Sequence, residues 1–183
     1  MDVISLALSV LALIASGATA WVADKRTTAA LEMSRRAEAS AVWSPIQDAV
    51  QRLIGLDPAR EDVGERLANL RIAGIALADD LGWEGLDGWL RIERGLGASY
   101  ARAVMEASAS SQTPEERMES SAPYWDWADR LGHNLRVFRK RGNDPEQLES
   151  LREGAVAQFK ALHEQHGWPL PPSTRPGEIT LGD

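Results

Sequence analysis

The apolar positions of this chain follow two different rules. Val3 to Ala23 reads VISLALSVLALIASGATAWVA, twenty-one residues with no charge, no proline and one glycine. As an α-helix this run would be about 31 Å long at 1.5 Å per residue, matching the hydrocarbon core of a bilayer. Downstream the apolar residues become periodic. Val63, Leu67, Leu70, Leu77 and Leu81 share one helical face; so do Trp89, Ile92, Leu96, Tyr100 and Val104. Tyr124, Leu131, Leu135 and Phe138 form a third face, and Leu148, Leu151, Ala155, Phe159 and Leu162 the cleanest. Spacings of three and four residues mark amphipathic helices, and no convincing two-residue alternation of a half-buried strand appears.

Start signals agree. Ser44-Pro45-Ile46-Gln47, Thr113-Pro114-Glu115-Glu116 and Asp144-Pro145-Glu146-Gln147 each place a capping side chain before a proline, and Asp57-Pro58 is a shorter version. A capping oxygen satisfies orphan N–H groups, and proline at the first helical position gives up a donor the helix does not use. The expected fold is all-α: one N-terminal transmembrane helix (3–23), a juxtamembrane helical stalk (24–43), a bundle of about five helices (44–168) and a Pro-rich flexible tail (169–183). Pro123 is expected to break or kink its helix before Trp125. Gly95 and Gly97 should weaken the helix around them, at roughly 1 kcal/mol each against Ala.

The flanks of the apolar run decide what it is. A secretory signal wants a basic segment in front, but only Met1 and Asp2 precede it. Ala18-Thr19-Ala20 resembles a cleavage site, yet Lys25, Arg26, Arg35 and Arg36 follow. Positive charge beyond the apolar run tends to stay cytoplasmic. An uncleaved anchor is therefore favoured over a cleaved signal or a buried soluble helix, with the N-terminus outside and the domain in the cytoplasm. Ser5, Ser9, Ala12, Ser16, Thr19 and Ala23 form a stripe of small or hydroxyl residues along the anchor. Such a stripe lets helix backbones approach, so Ser5, Ser9, Ala12 and Ser16 are candidates for association in the membrane.

Charge and composition narrow the partners. The net charge is −7, and the excess acid lies beyond Leu56, where twenty-two Asp/Glu face fifteen Lys/Arg. That balance argues against nucleic acid and leaves a lipid bilayer, a protein partner or self-association. Seventeen of the twenty basic residues are Arg, beside abundant Ala and Gly. The skew reads as a GC-rich bacterial coding bias, which places the anchor in a bacterial cytoplasmic membrane. The absence of cysteine excludes disulfides and thiolate chemistry.

Chemistry-bearing motifs are few. His163 and His166 are three apart, but two histidines do not make a metal site. Phosphate loops, nucleophile elbows and zinc-protease motifs are missing, so no cofactor, metal or catalytic residue is expected. The basic run Arg136, Arg139, Lys140, Arg141 sits where a helix should end, complementing its dipole or contacting phosphate or anionic lipid. The stretch DDLGWEGLDGWL crowds Asp79, Asp80, Glu84 and Asp87 around Trp83 and Trp89, and Trp125-Asp126-Trp127 repeats the pairing of acid and indole. Asp79, Asp80, Trp83, Glu84, Asp87, Trp89, Trp125 and Trp127 are the candidate contacts for a cationic ligand or basic partner, against the simpler reading of core tryptophans beside solvated acids. The leading expectation is a membrane-anchored adaptor or scaffold module. The alternatives are a small-ligand-binding protein or enzyme using residues 79–90, and a homo-oligomeric membrane-active protein assembled through its anchor.

Overall fold

A computed structural model describes residues 30, 31, 33, 34, 37, 40–108 and 113–171. The anchor segment with its Ser5/Ser9/Ala12/Ser16 stripe, the early stalk and the tail beyond residue 171 lie outside the described residues. The chain divides into two compact units, Met1–Val42 and Trp43–Asp183. In the first, the described positions are helical. Among the described residues no helix is long and apolar enough to cross a membrane.

All regular structure among the described residues is helical, in five helices: α1 (40–51), α2 (Val63–Leu81), α3 (Leu86–Ser108), α4 (Pro114–Arg141) and α5 (Pro145–His166). Helix α3 is central and packs against α2, α4 and α5. The predicted apolar faces supply much of the core, although Leu81, Ile92, Tyr100, Leu151 and Leu162 are only half-buried. Leu67, Leu70 and Leu77 of α2, Leu96 and Val104 of α3, Leu131, Leu135 and Phe138 of α4, and Leu148 and Phe159 of α5 are all buried. Full burial of each such side chain contributes about 1.5–3 kcal/mol. Trp43, Ile46 and Val50 add α1 to this core.

Two of the four start signals work as read. Thr113 Oγ1 accepts from Glu116 N–H at 3.2 Å, and Glu116 Oε2 accepts from Thr113 N–H at 2.8 Å, closing a capping box. Asp144 Oδ1 accepts from Gln147 N–H at 3.0 Å. The other two differ. Asp57-Pro58 opens a turn, with Ala59 N–H donating to Asp57 Oδ1 at 3.0 Å, and Asp62 caps α2 instead. Ser44-Pro45 lies inside helical backbone; Pro45 and Ala41, whose carbonyl loses its donor, are both exposed residues, where a lost helical bond costs least. Pro123 likewise does not end its helix. α4 runs through it, because Pro123 and Glu119 lie on the exposed side while Tyr124 and Trp127 hold the inner face.

Gly97 of α3 has a packing reason, whereas a Cβ on Gly95 would make ordinary contact with Phe159 at 3.5 Å. A Cβ on Gly97 would stand no farther than 2.7 Å from three atoms of the Trp127 ring, so the bare backbone is what admits the indole. The end of α5 is held by Trp168. Its ring stacks on His166 at 4.4 Å between centroids, and the Arg102 guanidinium of α3 sits 4.2 Å from its centroid.

Candidate functional site

The eight residues singled out in the sequence do not form one site. Trp89 and Trp127 are fully buried. Trp89 Nε1–H donates to Glu93 Oε1 at 3.0 Å, and Trp127 Nε1–H donates to Glu93 Oε2 at 2.9 Å. The two indoles thus occupy both oxygens of a carboxyl that is itself only 6% exposed. Burial pushes the Glu93 carboxyl above its ordinary value, against the pull of the two indole donors and of Arg130. Trp83 is half-buried in the α2–α3 loop, edge-on to Trp43 at 5.9 Å and to Phe138 at 6.2 Å. Trp89 meets the same Phe138 at 5.6 Å. Edge-to-face pairs of this kind contribute about 0.5–1.5 kcal/mol each beyond their area. Trp125 Nε1–H donates to the Leu56 carbonyl at 2.7 Å, tying α4 to the chain after α1. Asp79, Asp80, Glu84 and Asp87 are all exposed, and Asp79 and Asp87 lie on the rim of a common groove between α2 and α3.

Glu93 is the buried polar residue that sequence reasoning missed. Its signal was present: it stands four residues after Trp89, inside the apolar face of α3, where an acid needs partners. A second internal polar group lies at the end of α5. The His163 ring is buried; its Nδ1–H donates to the Pro169 carbonyl at 3.1 Å, and its Nε2 lies 3.0 Å from Ser99 Oγ. Among the described residues no group of three His, Cys, Asp or Glu could hold a metal ion.

Two of the grooves among the described residues involve side chains named above. The larger, about 590 Å³, lies between α1 and α4. Val50, Ile54 and Leu135 line its apolar part, and Gly132 keeps it open, since a Cβ there would come 3.3 Å from Val50. Its rim carries Arg136, Arg139 and Lys140 of the basic run, with Asp48 as the acidic residue of the lining. Arg139 donates to Gln47 Oε1 across the groove at 2.5 Å. The second groove, about 410 Å³, is floored by Leu70, Gly74, Ala78 and Leu90 between α2 and α3. Three arginines and two aspartates rim it.

Comparison with protein-family models, with curated proteins and with solved structures finds no match to this chain.

Proposed function

We propose that the chain is a membrane-anchored interaction module whose bundle binds an acidic, amphipathic segment of a protein partner in the α1/α4 groove. The observation that carries this reading is a cationic rim above a groove whose accessible apolar residue is Ile54: Arg136, Arg139 and Lys140 stand over it, while Val50 and Leu135 beneath belong to the buried core. An acidic helix would lay its apolar face on the floor and its carboxylates against the rim. The basic cluster is also local, on a chain of net charge −7, so it is not the overspill of a generally basic surface. Cations in the last turn of α4 do complement its dipole, but that role asks nothing of Ile54 in the turn after α1. The apolar run 3–23 and the Lys25/Arg26 flank support an anchor with the bundle on the cytoplasmic side.

The test is copurification of the full chain from detergent-solubilised membranes, beside an R136E/K140E variant with an unchanged melting curve. The expected result is an acidic partner recovered by the parent, released by raised salt and depleted at least tenfold with the variant. Identical recovery by both chains, or recovery of the chain alone, rejects the groove as a partner site. Protease added to intact cells checks orientation: cleavage of the bundle from outside overturns it.

A further inference from the structure

We propose that the α2/α3 face is the contact surface of an antiparallel homodimer with its two-fold axis at Ile75. On α2, Arg71, Ile75 and Asp79 are spaced by four and share one face. The core of α2 is made by Val63, Leu67, Leu70 and Leu77. Ile75 points away from that core and is 42% exposed; its neighbour Ile72 is 67% exposed. Two β-branched apolar residues on a solvated helix face mark an association surface when charges are ordered around them.

Here they are ordered. Arg71 lies four residues before Ile75 and Asp79 four residues after, about 6 Å to either side at 1.5 Å per residue. α3 repeats the order on the other wall of the groove. Gly74 faces Leu90, which fixes the pairing of the two helices, and Arg94 then lies toward the Arg71 end while Asp87 lies toward the Asp79 end. Each groove is therefore basic at one end and acidic at the other, with isoleucine between. An antiparallel two-fold places Arg71 of each copy opposite Asp79 of the other, twice. A parallel pairing would set like charges together, which disfavours it. The exposed Ile72 and Ile75 of the two copies meet across the axis.

The isolated face carries uncompensated charge. Arg91 has one ion pair, to Asp87 at 3.4 Å, and its Nε is buried without a hydrogen-bond partner. Burial first, and then Arg71 and Arg91, weaken the hold of Arg94 on its proton. The acidic end of a second copy supplies the missing counter-charge. A different protein would need this same charge order in reverse; this chain already possesses it.

The chain contains no cysteine, so Ile75→Cys introduces a unique thiol at the proposed axis. A disulfide needs Cα atoms within about 7 Å, which only a two-fold close to residue 75 provides. Mild oxidation of the full-length I75C chain in detergent should give a disulfide dimer. The exposed Ser150→Cys on α5 is the control, and at least tenfold less dimer is expected from it. Adding R71E or D79K to the I75C chain should each cut dimer yield at least tenfold. Mixing the I75C/R71E and I75C/D79K chains should restore it as a heterodimer, a rescue that misfolded chains cannot give. R136E/K140E should leave the yield unchanged. Equal dimer from I75C and S150C, indifference to both charge reversals, or failure of the mixture to recover overturns the proposal.

Discussion

Gly97→Ala and Gly154→Ala make the same chemical change inside two helices of one bundle. By helix propensity alone, each should favour the folded chain by about 1 kcal/mol. Gly154 realises that gain, because a Cβ there meets nothing within 4 Å. At Gly97 the Cβ falls no farther than 2.7 Å from three atoms of the Trp127 ring. Trp127 is fully buried and bonded to Glu93 at 2.9 Å, so it cannot retreat without giving up that bond. Overpacking costs about 1–3 kcal/mol, and stranding a buried donor costs a similar amount. Less the propensity gain of about 1 kcal/mol, the two costs leave a net loss of about 1–5 kcal/mol for G97A, so the two variants should differ by about 2–6 kcal/mol. At roughly 2–4 °C per kcal/mol for a domain of this size, the melting midpoints should separate clearly. Urea unfolding of the two purified chains, followed by circular dichroism, measures the gap. A G97A chain at least as stable as its parent would show that the Trp127 contact does not govern this position.

Two further substitutions probe the interior and a cap. Glu93→Gln leaves one indole N–H facing an amide donor, costing about 1–3 kcal/mol at acid pH. Because the folded Glu93 pKa is raised, its contribution is fully present below the ordinary value of 4.5 and is lost as pH rises through the folded value. The advantage of the parent over E93Q should therefore shrink with rising pH and then level off; an advantage that grows with pH refutes the assignment. Thr113→Ala removes the capping oxygen of α4 and should cost about 1 kcal/mol in the same unfolding assay; a change near zero would count against the cap.

Much of this fold was legible in local pattern. The core faces of α2 to α5 followed from spacings of three and four, and Thr113 and Asp144 announced their helices because capping is decided within four residues. Asp57-Pro58 and Ser44-Pro45 carried similar signals but were overruled by what surrounds them: Asp62 supplied a better cap, and exposed positions let Pro45 and Pro123 sit in helical backbone at small cost. The candidate site was less legible because its partners are distant. Nothing local tells that Trp127 reaches Glu93 across thirty-four residues. The acids of DDLGWEGLDGWL looked like one cluster, yet the helix phase sends Asp79 and Asp87 to a groove with Arg71 and Arg94, and leaves Asp80 and Glu84 outside it. Ile72 and Ile75 were visible in the chain as apolar residues out of register with the core face of α2. Only their exposure in the folded chain turns that irregularity into a surface.

The grip of two indoles on Glu93 also restricts how this sequence can drift. Losing either tryptophan leaves a buried oxygen unserved, losing the acid strands two donors, and enlarging Gly97 evicts Trp127. No single member can be exchanged without a penalty from the other three. Trp89, Glu93, Gly97 and Trp127 are thus expected to be inherited as a set: descendants of this chain should keep all four, or replace them together with an apolar core, while the grooves outside diverge freely.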